Sequence, residues 1–453
     1  MDELKYVGKR LPRYDGMQHA MGKTRYVNDI RMIDMLYVKA WRSPVPSAQI
    51  LNVDTSRAEA LPGVYKVITW KDVPQNRYTG SMDCPVLAED EIRYLGQEVA
   101  AVAAVDEDTA REAVNLIKVD YVERLAVLDP LKAMEPDSAR VTPTGNFLMF
   151  GDRPYRPVRK GDVDEGFAQS DLIVEGYYRT QGQEHCPIET QVSIAQTDGM
   201  GRTHIWTVSQ NIFLNQSAYA GILKKPSSMV HLIGGVVGGG FGSKNDPHAD
   251  HICAVLSLYT DGRPVKWLWT REEEFIASTH RGAMHMFFKD GVSRDGHILA
   301  RQVRSIRDGG AYALTNDYVV SKHAYGVCGP YNIPNVKVDA YSIFTNKRPV
   351  SSMRGFGLYQ ASFAMEVQID RIAEKLGMNP MRIRFINAVQ DGDTSHTRSV
   401  LRNCSLIECL QAAAERAGIR LDDDLLQMSS KDAHASNPGM TGSTAVTNPK
   451  REA

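Results

Sequence analysis

A cluster of glycines between residues 234 and 244 is the feature of this sequence that most directly suggests chemistry. It reads Gly-Gly-Val-Val-Gly-Gly-Gly-Phe-Gly-Ser-Lys. Consecutive glycines cost conformational entropy, so they are expected where the backbone takes positive φ or closely approaches a ligand. The amides of such a loop, between a strand and a helix, can hold an anionic or oxo group. The alternative interpretation is a tight packing turn.

Two common phosphate-binding loops do not fit this cluster. A P-loop has Gly immediately before its Lys and Ser or Thr after it, whereas Ser243 precedes Lys244 and Asn245 follows it. The dinucleotide fingerprint Gly-x-Gly-x-x-Gly cannot be aligned with the cluster either. The anion predicted for this loop is therefore bound in some other way.

A second glycine turn, Arg354-Gly355-Phe356-Gly357, lies farther along the chain. Arg354 offers a rigid fork of donors to an anion, and a ring between two glycines is free to stack on a planar ligand. Gln210, within Ser-Gln-Asn, places an amide at a predicted strand end, where it could donate to a ligand oxygen or simply bond a neighbouring loop. Two such turns in one chain indicate an extended anionic cofactor.

The elements that must position these residues follow from apolar patterns. Asp106 is a predicted N-cap for a helix with Ala110, Ala113, Val114 and Ile117 on one face, and a helix over 361–376 ends at Gly377. A further helix is predicted after the glycine cluster, over 249–259, and another from Ser405 to Gly418. Predicted strands cover residues 36–41, 64–70, 99–105, 118–122, 171–180, 192–195, 205–208 and 339–344.

Composition narrows the class of protein. The 453 residues hold 53 Lys and Arg against 54 Asp and Glu, a net charge of −1, which disfavours nucleic acid or an anionic membrane as partner. No apolar run approaches a membrane span, and the N-terminus lacks an apolar signal core. Six scattered cysteines without a Cys-x-x-Cys pair provide no usual iron–sulfur or zinc spacing. These features predict a cytoplasmic protein without its own metal-ligand cluster.

An ordered series of motifs resembles the molybdenum-binding subunit of the xanthine oxidase family of molybdenum hydroxylases. The likeness runs from about residue 10 to residue 420. Its motifs are, in order, Tyr14-Asp15-Gly16, Gly22, Tyr26 to Ile30, Gly182-Gln183-Glu184-His185, Ile188-Glu189, Ser209-Gln210-Asn211, Gly238 to Lys244, Arg307 to Tyr312, Tyr331-Asn332-Ile333-Pro334-Asn335, and Arg354-Gly355-Phe356-Gly357 with Gln360.

The resemblance implies an α+β fold: an aldehyde oxidase/xanthine dehydrogenase hammerhead-type domain followed by the first molybdopterin-binding domain. We expect these over residues 1–145 and 146–425, with a flexible tail over 426–453. It also implies a molybdopterin-type cofactor, in its simple or cytosine dinucleotide form, whose metal is held through the pterin dithiolene and not by protein side chains.

The resemblance also assigns roles to residues. Gln210 corresponds to the glutamine near the apical oxo group and Arg354 to the arginine beside the metal centre, and both are expected to act in catalysis. Phe356 corresponds to an aromatic that packs on the substrate ring. The expected cofactor contacts are Gln210, Gly239, Gly240, Phe241, Gly242 and Arg354.

Departures from the family pattern predict partners. Single-chain members contain a Gly-x-Gly-Glu segment whose glutamate is the catalytic base, and this sequence lacks that segment. The chain therefore resembles the first of two split molybdenum subunits, as in nicotinate dehydrogenase. A second molybdenum subunit would supply the glutamate, and separate FAD and iron–sulfur subunits would carry electrons. We expect a dimer of such heteromers.

The substrate is expected to be a small molecule with an electron-poor carbon. Xanthine-oxidising members have Glu after the Lys of the glycine loop and Arg ahead of the Tyr-x-Ile-Pro-Asn segment. Here Asn245 and Lys322 stand at these places and are candidate substrate contacts. We expect water-derived oxygen to be added to an N-heteroaromatic ring of the purine or pyridine carboxylate type. An aldehyde dehydrogenase of the same family and a non-catalytic scaffold or cofactor-insertion partner are the alternatives.

Overall fold

Two mixed sheets with helices packed on them form most of the fold in the computed structural model, which describes residues 4–78 and 82–430. The strands are β1 (Leu36–Arg42), β2 (Ala48–Asp54), β3 (Val64–Thr69), β4 (Arg77–Tyr78), β5 (Cys84–Pro85), β6 (Glu91–Ile92), β7 (Glu98–Ala104), β8 (Lys118–Glu123), β9 (Arg156–Lys160), β10 (Leu172–Thr180), β11 (Val192–Thr197), β12 (Thr203–Thr207), β13 (Val230–Gly234), β14 (Val265–Leu268), β15 (Met284–Val292), β16 (Ile298–Gly310) and β17 (Asn335–Phe344). The helices are α1 (Gly16–Ala20), α2 (Ser56–Glu59), α3 (Glu107–Leu116), α4 (Val163–Ala168), α5 (Ile212–Ile222), α6 (Ala249–Leu256), α7 (Arg271–Ala277), α8 (Asn316–Ala324), α9 (Leu358–Leu376), α10 (Pro380–Ile386), α11 (Leu406–Ala417) and α12 (Asp423–Leu426).

The larger sheet has seven strands in the order β13-β12-β11-β14-β1-β7-β3. Helices α5 and α6 pack on it, and α6 is buried along its whole length. Strands β1, β3 and β7 come from the proposed first domain and β11 to β14 from the proposed second. The sheet is therefore continuous across the boundary that we propose near residue 145.

The second sheet has five strands in the order β10-β15-β16-β17-β9. Helices α8 and α9 pack on it and bury apolar residues from both layers, including Val174, Met286, Val303, Ile369 and Ile372. The apolar spacing of α9 places Ile369 and Ile372 on this buried face. Helix α9 thereby fixes the position of the Arg354 turn, which directly precedes it.

Most elements predicted from apolar patterns are present, and the expected α+β class is confirmed. Asp106 caps α3 by accepting a hydrogen bond from the Thr109 amide (2.7 Å). Gly377 ends α9 with φ +65°. Helix α9 begins at Leu358, three residues earlier than predicted, because Gly357 adopts φ +93° at the N-cap and the helix starts directly after it.

Several elements were not predicted because polar residues interrupt their buried faces. Helix α8 buries Asn316, Ser321 and His323, which hide its apolar period. Strand β16 buries Arg301 and Arg307, so it shows no simple alternation of apolar and polar residues. Helix α5 and strand β15 were likewise not predicted from the sequence.

The expected tail over 426–453 is described only to residue 430. There Ser430 is buried, and its hydroxyl accepts a hydrogen bond from the Ile407 amide (3.2 Å). Residues 431–453 lie outside the described residues. Across 4–78 and 82–430, every helix is too short or too polar to cross a bilayer. The cytoplasmic location stays a prediction.

Candidate functional site

The glycine cluster and Gln210 meet at one edge of the seven-stranded sheet. Strands β12 and β13 are parallel neighbours, with Thr207 opposite Gly234, so the segments that follow both strands leave from the same edge. The Gly242 amide donates to Gln210 Oε1 (2.9 Å), and the Gln210 amide donates to the Lys244 carbonyl (2.8 Å). The sheet topology thus brings together two motifs that are separate in sequence.

The second glycine turn joins the first. The Arg354 amide donates to the Phe241 carbonyl (2.8 Å). Arg281 Nη2 donates to the Arg354 carbonyl (3.1 Å) and holds the turn from its other side. The two glycine turns are therefore in direct contact.

The glycine loop has a backbone that side chains would obstruct. Gly239 and Gly242 have φ of +101° and +109°. A Cβ at Gly240 would lie 2.4 Å from Gln210 Oε1, and one at Gly242 would lie 2.6 Å from the Ser352 carbonyl oxygen. The loop therefore also has the close packing that the alternative interpretation, a tight packing turn, requires, because it lies directly against Gln210 and Ser352.

Several hydrogen-bond donors of this region have no acceptor within the described chain. Within the described chain, the amides of Gly239, Gly240 and Phe241 donate to no protein acceptor. The Nε2 group of Gln210 and the guanidinium of Arg354 likewise make no hydrogen bond there, and both side chains are exposed. A row of unused amides flanked by an amide and a guanidinium is suited to an anionic or oxo-bearing group.

A buried ion pair fixes the glycine loop from below. Lys244 Nζ lies 2.7 Å from Glu189 Oε2, and the same oxygen accepts a hydrogen bond from the Gly238 amide (2.8 Å). Burial lowers the pKa of Lys244, and the Glu189 carboxylate opposes that shift. The sequence analysis assigned no function to this pair. The lysine at the end of the glycine cluster is the signal that could have suggested one.

The Phe356 turn is fixed against helix α8. A Cβ at Gly357 would lie 2.6 Å from the Val319 carbonyl oxygen, so the two backbones touch. His323 Nδ1 donates to the Gly357 carbonyl (3.2 Å), and its Nε2 accepts from Ser305 Oγ (2.8 Å). Burial lowers the pKa of His323 to about 4, which keeps this imidazole neutral. Phe356 itself is half-buried with φ +51°.

A cavity of about 690 Å³ lies beside the glycine loop, and we call it the side cavity. Asn211 directly follows Gln210, and Asn245 continues the glycine loop, so the cavity adjoins the loop through both residues. Most of its wall is apolar or aromatic. The lining residues include Tyr78, Met82, Leu148, Met149, Leu214, Ile222, Leu314 and Tyr318, with the polar residues Arg77, Asn211, Asn215, Asn245, Asp246, Thr315 and Asp317.

The candidate substrate residues are placed differently by the structure. Asn245 lines the side cavity, and its Nδ2 donates to Ser352 Oγ (2.8 Å). Lys322 is exposed on α8 and is not part of the cavity wall. Phe356 reaches the same α8 helix through Gly357 but also lies outside the wall. The fold therefore brings Asn245, and not Lys322, to the side cavity.

Asp246 is a buried carboxyl group that was not a candidate in the sequence interpretation. It lines the side cavity next to Asn245, and Thr279 Oγ1 donates to its Oδ2 (3.4 Å). Burial raises the pKa of Asp246 to about 6. An Asp in the middle of a polar stretch gives no sequence signal of this kind, because only the packing around it removes water.

Two family models match the chain. Residues 149–388 match the molybdopterin cofactor-binding domain, and residues 21–125 match the a/b hammerhead domain of aldehyde oxidase and xanthine dehydrogenase. The order of the two matches is the order expected from the motif series.

Curated relatives share about a third of their residues with this chain. The nicotinate dehydrogenase large molybdopterin subunit of Eubacterium barkeri is 35% identical over 418 residues, which cover 92% of this chain and 97% of that protein. The xanthine dehydrogenase molybdenum-binding subunit of Escherichia coli O157:H7 is 30% identical over 412 residues, which cover 88% of this chain and 54% of the relative.

Solved structures give the same result for the fold. The aldehyde oxidoreductase from Desulfovibrio gigas superposes with a TM-score of 0.85 at 30% identity, over 90% of this chain and 47% of that one. Quinoline 2-oxidoreductase from Pseudomonas putida 86 superposes with a TM-score of 0.84 at 29% identity, over 92% of this chain and 55% of that one. The chain thus spans about half the length of these structures and nearly all of the Eubacterium subunit.

Proposed function

The chain belongs to the xanthine dehydrogenase family of molybdenum hydroxylases, and from that premise we propose that it is the molybdenum-cofactor subunit of an N-heteroaromatic hydroxylase. The substrate would be of the purine or pyridine carboxylate type, and the oxygen added to it would come from water. The observation that carries this proposal is the meeting of Gln210, the loop Gly239–Gly242 and Arg354, with donors that the protein leaves unused.

The residues present fit a molybdopterin-type group. The amides of Gly239, Gly240 and Phe241 would hold its oxo and phosphate oxygens, Gln210 Nε2 would donate from one side, and Arg354 would stabilise negative charge from the other. When bound, the cofactor would supply the two-electron oxidation and the transfer of oxygen to the substrate. Its simple or cytosine dinucleotide form is a further part of the proposal.

Substrate would enter through the side cavity. Asn245 in its wall would orient the ring by hydrogen bonding. Phe356, which lies outside the wall, stays a proposed contact with the ring face. Lys322 stays a proposed contact, although it stands outside the wall. The largely apolar lining would exclude water from the ring and leave its recognition to few polar groups.

Partners complete this proposal. A second molybdenum subunit would bring the catalytic glutamate, and FAD and iron–sulfur subunits would accept the electrons, with two such heteromers associating. The coverage of 97% of the Eubacterium large molybdopterin subunit, against 47% of the Desulfovibrio enzyme, supports a split arrangement.

An aldehyde substrate is the second candidate. It is favoured by the TM-score of 0.85 to the Desulfovibrio aldehyde oxidoreductase and by the apolar wall of the side cavity. A screen with purines, pyridine derivatives and aldehydes, using an artificial electron acceptor, separates the two candidates.

The proposal is tested on the complex isolated with its natural partners. We expect near-stoichiometric molybdenum and pterin, and we expect Gln210→Ala to retain the metal but lose roughly hundredfold in kcat, because a donor at the reacting centre is removed. Gln169→Ala, on the exposed end of α4, is the matched control. A complex without molybdenum and pterin would favour a non-catalytic scaffold.

A further inference from the structure

The charged side chains of the side cavity limit the substrates that it can accept. Among the described residues, the wall contains three charged side chains, those of Arg77, Asp246 and Asp317. No lysine or histidine of the described chain lines the cavity. The balance of charge therefore depends on whether Arg77 is available to a ligand.

Arg77 is already engaged by the protein. Its Nη2 lies 3.2 Å from Glu89 Oε2, and its Nη1 donates to the Asp83 carbonyl (3.4 Å). A substrate carboxylate would have to compete with Glu89 for this guanidinium. Among the described wall residues, the single cation is thus neutralised before a ligand arrives.

The two aspartates have no salt-bridge partner among the described residues. Across the described residues, neither Asp246 nor Asp317 has a cationic nitrogen within 4.0 Å. Asp246 is buried between Asn245 and Pro247, and its polar surroundings are Thr279 Oγ1, Ser351 and the buried His185. Its pKa of about 6, raised by burial, leaves it mostly ionised at about pH 8. Asp317 lies half-buried in the first turn of α8.

Asn245 adds an acceptor to this wall. Its Nδ2 donates one of its two hydrogens to Ser352 Oγ, so its carbonyl oxygen Oδ1 is available to a ligand together with the second Nδ2 hydrogen. Together with the two carboxylates it forms a wall that accepts hydrogen bonds and carries negative charge. Such a wall is complementary to ring N–H and amide N–H groups and repels carboxylates.

We propose that the side cavity selects neutral N-heteroaromatic substrates that carry N–H donors, such as purines and heteroaryl carboxamides, over heteroaryl carboxylates. This inference rests on the proposed function, because it takes the side cavity as the substrate entrance. Of the two substrate types in that proposal, it keeps the purine type and excludes the pyridine carboxylate type.

The test uses two probes that differ only in charge and donors, pyridine-3-carboxamide and pyridine-3-carboxylate, on the isolated complex at about pH 8. We expect kcat/KM for the carboxamide to exceed that for the carboxylate by about tenfold or more. Equilibrium binding of both probes is measured in parallel, so the inference stays testable when turnover is slow.

Three variants of the cavity wall and one control variant locate the cause of the preference. Asp246→Asn and Asp317→Asn should each reduce the preference for the carboxamide several-fold, and the double variant should nearly abolish it. Asp295→Asn, exposed in the turn between β15 and β16, removes one negative charge outside the cavity and should leave the preference unchanged.

Several outcomes decide the matter. A wild-type complex that binds or oxidises the carboxylate as well as the carboxamide, or binds neither, overturns the inference while leaving the molybdenum assignment intact. An equal response to Asp295→Asn and Asp246→Asn also overturns it. Absence of molybdenum and of any heteroaromatic turnover would instead contradict the proposed function, whereas the binding preference would still be measured.

Discussion

The glycine loop and the side cavity adjoin each other but are built in opposite ways. Residues 238–244 form the loop largely from backbone atoms, and their positions are set by positive φ angles and close contacts. The cavity is walled by side chains from at least five separate stretches of chain. A site made of backbone is specified by a short run of residues, whereas a site made of side chains depends on how distant segments pack.

This contrast indicates that the loop and the cavity have different functions. The loop would bind a group common to the whole family, so it needs an invariant geometry. The cavity would bind a substrate that differs among relatives, and its wall can change one side chain at a time. Substitutions in the loop should therefore affect cofactor content and stability, and substitutions in the wall should affect substrate choice.

The largest effect is expected from breaking the ion pair beneath the loop. Glu189→Ala should lower the free energy of unfolding by roughly 3 to 5 kcal/mol, because it leaves the Lys244 ammonium buried and unpaired. Chemical denaturation measures this change. Asp108→Ala is the control, since Asp108 and Arg111 form an exposed pair of the same length (2.7 Å), for which we expect less than about 0.5 kcal/mol. Equal losses in the two variants would contradict this account.

The next effect is expected from adding one methyl group to the loop. Gly242→Ala would place its Cβ 2.6 Å from the Ser352 carbonyl oxygen in a backbone with φ +109°. We expect molybdenum content or kcat to fall by roughly hundredfold, because the loop must shift. Gly199→Ala has no atom within 4 Å of the added Cβ and should behave as wild type. A fully loaded and active Gly242→Ala complex would show that the close contact is unimportant.

Substitution of the cavity-wall residue Asp246 should raise the stability of the folded protein, whereas the substitutions beneath and within the loop lower stability or activity. The folded-state pKa of Asp246 is about 6 against an ordinary value of 3.8, so its ionisation destabilises the folded protein as the pH rises from about 4 to about 6. Asp246→Asn should therefore raise the free energy of unfolding by roughly 3 kcal/mol at about pH 8, and this gain should almost disappear at about pH 4. Thermal unfolding at both pH values provides the measurement.

The control for this prediction is the same substitution at a paired carboxylate. Asp290 is buried with Arg301 at 2.7 Å, so Asp290→Asn should destabilise the protein at about pH 8. A destabilised Asp246→Asn variant at that pH would mean that Asp246 has a stabilising partner.

The smallest effects concern substrate affinity. Asn245→Ala should raise KM several-fold with kcat changed less than about twofold, because a cavity contact is lost while the loop is kept. Lys322→Ala should also raise KM, but by less than Asn245→Ala does, about twofold, since Lys322 is a proposed contact that lies outside the cavity wall. Steady-state kinetics on the same complex compares the two. A larger effect at Lys322 would restore it as a principal substrate contact.

The fold was predicted best where local signals agree. The cap at Asp106 and the glycine stop at Gly377 were both found in the expected places. Helix α8 and strand β16 were missed, because they bury Asn316, His323, Arg301 and Arg307. Hydrogen bonds and ion pairs to residues 7 to 44 positions away in the chain satisfy these side chains. Such polar residues carry no periodic signal of burial in the sequence.

The sequence by itself determined the family, the glycine loop and the candidates Gln210 and Arg354, because backbone conformation and short motifs are local properties. Tertiary structure decided that the two glycine turns touch, that Lys244 is paired with Glu189, and that Asp246 faces a cavity. These depend on contacts between segments tens to hundreds of residues apart. Burial, which alters the pKa of a carboxyl group or an ammonium, exists only once those segments have packed.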